Sequence, residues 1–198
     1  MSGIRHIVFD IGNVLLRYDP FTYMLQHYEH AERLYELIAP SVEWQKLDHG
    51  DLTTTEAIEA FTKKDPDLKD EIEDYMHHWT NMLEPIPEHV FCKNILSEDY
   101  SIYLLSNFHH DAFKEMEIKH PFLKNVNGKI ISADVHQMKP QPEIYQLLLS
   151  TYHLSASECL FIDDTIANLN TAQLLGFQTM QLTPNERMFG KLKEFVDI

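Results

Sequence analysis

The chain has 198 residues, 44% hydrophobic and 24% charged, enough apolar material for one sizeable core and typical of a globular protein rather than a disordered one. Acidic residues outnumber Lys and Arg 31 to 16, giving a formal net charge of −15; that field repels a phosphate backbone and disfavours nucleic acid and anionic membranes as partners. No apolar run is long enough to span a bilayer and no signal-like stretch opens the chain, so a cytoplasmic address is expected, with Cys92 and Cys159 as buried thiols.

The first predicted element is a strand over residues 4–9, almost continuously apolar, as befits a strand covered on both faces. Residues 17–84 then read as helical throughout. Within them, Thr53 and Glu56 have the spacing of a capping box ahead of Ala57, Ile58 and Phe61. Ile72, Tyr75, Met76, Trp79, Met82 and Leu83 form one apolar stripe, which predicts a helix that Pro85 and Pro87 stop and follow with a stiff linker. Further strands are predicted at residues 101–105, 129–132, 159–162 and 178–182. A helix over 143–152 enters behind Pro140 and Pro142, and another carries Ile166, Leu169, Ala172 and Leu175 and ends at Gly176. Alternating strands and helices predict an α/β fold, a doubly wound, Rossmann-like parallel sheet. The predicted core spans residues 1–16 and 86–198, and an inserted helical cap spans residues 17–85. A crossover needs only a dozen or so residues, so an insert of this length needs another purpose, and covering a site is the obvious one.

Ligands of open α/β sheets collect at the carboxyl ends of the strands. Here the first strand runs into Asp10-Ile-Gly12-Asn13, the second into Ser106-Asn107, the third leads to Lys139-Pro140, and the fourth ends in Asp163-Asp164. Alone, each has an ordinary explanation as a turn, a solvated loop or a helix cap. Together they would converge two carboxylate groups, a hydroxyl–amide pair and a lysine on one edge of the sheet.

In this order and spacing the four motifs resemble those of the haloacid dehalogenase superfamily. The resemblance is to its helical-cap phosphatases, with an insert between the first motif and the second. Met138-Lys-Pro-Gln-Pro-Glu-Ile-Tyr145 and Phe161-Ile-Asp-Asp164 look like the phosphatase domain of soluble epoxide hydrolases, while Phe9-Asp-Ile-Gly-Asn-Val14 is similar to bacterial sugar-phosphate phosphatases. The resemblance implies a Mg²⁺-dependent phosphatase acting on a small phosphorylated metabolite, a sugar phosphate among the candidates, as a monomer or homodimer. It implies Asp10 as nucleophile and an aspartyl-phosphate intermediate. Asp10, the Gly12 carbonyl and Asp164 would be metal ligands; Ser106, Asn107 and Lys139 would contact phosphate. Asp163 and Asn168 would stand behind them, with Asp163 orienting Lys139.

One position departs from the pattern. Most phosphatases of the superfamily carry an acid/base Asp where this chain has Gly12. His109, His110 and Asp19 are candidate substitutes, although a loop histidine is ordinarily solvent-exposed. The alternatives are a 2-haloacid dehalogenase, whose halide leaves unaided, and a phosphate-binding protein with weakened turnover; the acidic pair favours phosphoryl chemistry. Arg17, Tyr18, Trp44, Lys46 and His49 are candidate substrate contacts on the cap. Twelve histidines include no pair spaced i, i+4 with a carboxylate or cysteine partner nearby, so no transition-metal site is expected from the sequence.

Overall fold

The computed structural model describes residues 3–196; the outermost residues of the predicted core, 1–2 and 197–198, lie outside them. Strand β1 (His6–Phe9) is followed by α1 (Pro20–His27), α2 (Ala31–Ile38), α3 (Val42–His49), α4 (Thr54–Lys64) and α5 (Lys69–His78). The chain continues through α6 (Pro87–Asp99), β2 (Ser101–Ser106), α7 (His110–Lys119), β3 (Gly128–Ile131), α8 (Ser132–Val135) and α9 (Pro142–Tyr152). It ends with β4 (Cys159–Asp163), α10 (Ile166–Leu174), β5 (Gln178–Gln181) and α11 (Met188–Leu192).

The five strands form one parallel sheet in the order β3-β2-β1-β4-β5. Each apolar strand residue therefore serves one of two packed faces. Ile7, Phe9, Ile102, Leu104 and Ile162 pack with α6 and α7 on one face, through Cys92, Leu96, Phe113 and Met116. Val8, Leu105 and Phe161 pack on the other with Ile144, Tyr145 and Leu148 of α9 and Leu169 and Ala172 of α10. The fold is the doubly wound α/β sheet that the strand–helix alternation predicts. Both cysteines are buried free thiols, also as expected.

The helices between β1 and α6 are fixed by local signals. Asp19 accepts from Thr22 N ahead of Pro20, and Ser41 accepts from Trp44 N. The Thr53–Glu56 capping box is complete. At the far end of the chain Gly176, at φ +95°, closes α10. Its N–H donates to Gln173 and that of Phe177 donates to Ala172, the paired bonds of a Schellman motif. The aromatic stripe does not continue as one helix to Leu83. Helix α5 stops at His78, and Trp79–Met82 tighten into a 3₁₀ turn with Trp79 and Leu83 still buried. Pro87 is the first residue of α6 rather than part of a linker, a position where its missing N–H costs nothing. Ser132 opens α8 instead of ending β3. Among the described residues, no helix is long and apolar enough to cross a membrane.

Candidate active site

The register places Phe9 beside Leu104 of β2 and Ile162 of β4, so the residues that follow these three meet at the carboxyl edge of the central strands. Asp10 N donates to the Ile162 carbonyl, 2.9 Å, which carries the β-ladder one residue further. Beside β1 the sheet switches direction of winding, the position where open α/β sheets open a crevice.

Asp10 is buried. Its Oδ1 accepts from Ser106 Oγ at 2.8 Å and lies 2.8 Å from Lys139 Nζ. The same ammonium donates to Asp163 Oδ2 at 2.7 Å. Burial alone would neutralise the lysine, yet the Asp10 and Asp163 charges together hold its pKa above the ordinary value. The Asp10 carboxyl is raised to about 6: burial pushes it up most, the Lys139 ammonium pulls it down, and the Asp163 charge pushes it up again.

Asp163 is fully committed to protein donors. Besides Lys139 it receives Thr165 N at 2.8 Å and the Asn168 amide on both oxygens, at 3.0 and 3.1 Å. Asp164 is looser, touched by Asn13 Nδ2 at 3.3 Å and by the Thr165 hydroxyl. Asn13 takes φ +57°, a conformation asparagine tolerates better than most residues, and its Oδ1 accepts from Tyr18 N. Asp10, Asp163 and Asp164 each offer an oxygen within 4.8 Å of the others. One ammonium cannot balance three such carboxylates, and this donor set suits a hard divalent cation.

The cavity over these groups has a volume of about 360 Å³. Its floor is Asp10, Gly12, Ser106, Lys139 and Asp164, and its opposite wall is Tyr18, Trp44, Asp48, Trp79, Leu83 and Phe108. Helices and turns of the segment between β1 and α6 thus supply most of the wall.

Comparison with known proteins matches residues 7–182 to the haloacid dehalogenase-like hydrolases. The chain belongs to that family. This hydrolase is 26% identical to the D-ribitol-5-phosphate phosphatase of Bacteroides thetaiotaomicron, over 90% of this chain and 91% of the relative. It is 22% identical to the sesquiterpene phosphatase astK of Aspergillus oryzae, over 98% of each. A crystal structure of a haloacid-dehalogenase-family enzyme from B. thetaiotaomicron, a magnesium complex, superposes with a TM-score of 0.80 at 21% identity, covering 97% of this chain and 100% of that one.

The hydrolase brings the strand-end residues named from the sequence to one crevice: Asp10, Gly12, Ser106, Asn107, Lys139, Asp164 and Asn168 all border the cavity. Asp163 lies beneath it, wholly buried. Asn107 also donates to the Lys139 carbonyl and accepts from the Lys139 N–H, each at 2.9 Å, which ties the loops after β2 and before α9 together.

His109 is also not the exposed loop residue expected. It is buried against Trp44 and Trp79, ring centroids 4.5 and 5.1 Å away, with Nε2 3.2 Å from Asp48 Oδ1. His110 is exposed beside Asp134, and Asp19 caps α1; neither borders the cavity. Of the cap candidates, Tyr18 and Trp44 border it, whereas Arg17, Lys46 and His49 do not. Asp48, Asn13, Leu83 and Phe108 were not singled out by the sequence. Asn13 had a signal in its place beside Gly12; Asp48 had none, because on α3 it reads as an ordinary polar face.

Proposed function

We propose that this hydrolase removes phosphate from a small phosphomonoester, with Asp10 as nucleophile and Mg²⁺ as cofactor. The observation that carries the reading is the Lys139 ammonium shared between buried Asp10 and Asp163 with Asp164 alongside. Such a cluster is built to receive an anion and a cation together. The phosphatase relatives support it.

In this reading Asp10, Asp164 and the Gly12 carbonyl hold the ion. Asp163, with every oxygen already engaged, orients Lys139. Bound Mg²⁺ offsets the charge of the phosphoryl oxygens, which otherwise repel a carboxylate nucleophile. Ser106 donates its one hydroxyl proton to Asp10 in the free site and turns it to a phosphoryl oxygen when substrate enters. Asn107 anchors the Lys139 backbone and keeps a second amide N–H for a phosphoryl oxygen. The Asp10 carboxylate attacks phosphorus in line, the bond to the alcohol oxygen breaks, and water then hydrolyses the aspartyl phosphate to inorganic phosphate. Residues 17–85 act as a cap that excludes bulk water.

The cavity also bears on the substrate. Its one ammonium is already engaged, and the opposite wall carries indole rings, Tyr18 and the Asp48 carboxylate. That lining fits an alcohol without a second anionic group, with hydroxyls for Asp48 and an apolar face for Trp44 and Trp79. A sugar or polyol phosphate has this chemistry. A hemiacetal phosphate, such as a sugar 1-phosphate, also leaves with less help from an acid, consistent with Gly12.

A panel of phosphate esters, run with and without Mg²⁺ and with Asp10→Asn as control, tests this. Release of phosphate that needs Mg²⁺ and vanishes in folded Asp10→Asn is expected. Turnover retained by Asp10→Asn, or metal-independent halide release from a 2-haloacid with no phosphatase activity, would overturn the reading.

A further inference from the structure

Helices α3 and α8 meet backbone to backbone. Gly50 ends α3 at φ +83°, and a Cβ there would collide with the Ala133 carbonyl. Ser132 donates its hydroxyl to the Asp48 carbonyl and accepts from Phe108 N at 2.9 Å. This joint fixes the relative placement of three side chains: His49 at the end of α3, Asp51 just beyond Gly50, and His136 just beyond α8. Their ligating atoms all lie within 4.8 Å of one another.

We propose that His49, Asp51 and His136 form a binding site for a divalent transition ion of the zinc class, held by the two Nδ1 atoms and the Asp51 carboxylate. His49 Nδ1 lies 2.9 Å from Asp51 Oδ2, and His136 Nδ1 lies 3.6 Å from Asp51 Oδ1. Bonds of about 2.0–2.2 Å to a tetrahedral ion put neighbouring ligand atoms about 3.3–3.6 Å apart, so the His136 separation already fits and the His49 one must open by a few tenths of an ångström. The His49 Nδ1 atom is buried, and the Asp51 carboxylate is the group beside it. His136 is held at φ +52°, a backbone region few non-glycine residues occupy. Two imidazoles with one carboxylate select a borderline ion over Mg²⁺ or Ca²⁺. With His136 largely exposed, solvent supplies the entry path and the fourth ligand. A bound ion would strap the helical segment to the sheet one residue from Asp48, which borders the cavity.

Nothing in this site depends on the phosphatase reading. The test uses the full chain, stripped by chelator and saturated with Mg²⁺, titrated with Zn²⁺ by calorimetry and with Co²⁺ by visible absorption. One Zn²⁺ per chain, tetrahedral-type Co²⁺ bands and a Zn²⁺-dependent rise in Tm are expected, all retained in Asp10→Asn. His49→Gln and His136→Asn, the latter keeping a residue that tolerates positive φ, should each weaken binding by about 100-fold or more, since even outer partners of metal ligands are worth 10–100-fold. Both variants should match the parent's circular dichroism without zinc. Absence of binding, binding lost in Asp10→Asn, or binding within about tenfold of the parent in folded His136→Asn would each overturn the site.

Discussion

Gly12 concentrates the chemical question into one residue. Its φ lies outside the left-handed region, and a Cβ at this position would meet nothing within 4 Å. Neither backbone nor space therefore requires glycine, and an acid would fit. A positioned general acid is typically worth about 10²–10⁴-fold, mostly where the leaving alkoxide is a poor one. Gly12→Asp is expected to raise kcat/KM on simple alkyl phosphates by about tenfold or more, while leaving kcat/KM on p-nitrophenyl phosphate, whose phenolate needs no proton, nearly unchanged. Measuring kcat/KM on both esters isolates the step in which the alcohol leaves from the later hydrolysis; equal changes in kcat/KM on the two would refute the missing-acid account. The same scale shows what was legible. Asp10, Ser106 and Asp163 sit at strand ends, so chain adjacency alone sends them to one edge of a parallel sheet. Asp48 and His109 reach each other only because α3 docks on the loop after β2, and no local pattern encodes that contact.

At the scale of elements, the joint between α3 and α8 can be weighed against a second glycine with the same backbone demand. Gly176 at φ +95° has only the Ala156 side chain nearby, 3.7 Å from an added Cβ. Gly176→Ala should therefore cost just the left-handed penalty, about 1–2 kcal/mol. Gly50→Ala incurs the same penalty and must also displace the Ala133 carbonyl, so its loss in urea denaturation should exceed that of Gly176→Ala by about 1 kcal/mol or more, the cost of a forced backbone shift. Equal losses would mean the joint is loose. Elements with a signal in their own residues were readable: fully apolar strands, the Thr53–Glu56 box, Gly176 as a helix stop. The end of α5 was not. A 3₁₀ turn at Trp79–Met82 keeps its aromatic and apolar side chains facing inward, so the stripe continues after the α-helix has stopped.

For the molecule as a whole, the buried ionisable groups set a direction for stability against pH. Burial pushes the Cys159 thiol up to about 12 and the Cys92 thiol up to about 11. It also raises Tyr75 and Tyr145, both packed in the core. All four are acids whose folded-state pKa exceeds the unfolded value. Above about pH 8.5, where free thiols ionise, the unfolded chain gives up protons that the native chain keeps. It then binds fewer protons than the native state, and stability falls as pH rises. The net charge of −15 adds self-repulsion in the same direction as further groups ionise. Tm should hold near neutrality and drop steadily from about pH 9 upward. Because a thiol reacts as its thiolate, both cysteines should resist a disulfide reagent at pH 8 until denaturant is added, then react together as the cooperative fold opens. Stoichiometric labelling of either thiol in the folded protein, within the reagent's ordinary reaction time, would contradict the burial of Cys159 on β4 and of Cys92 on α6.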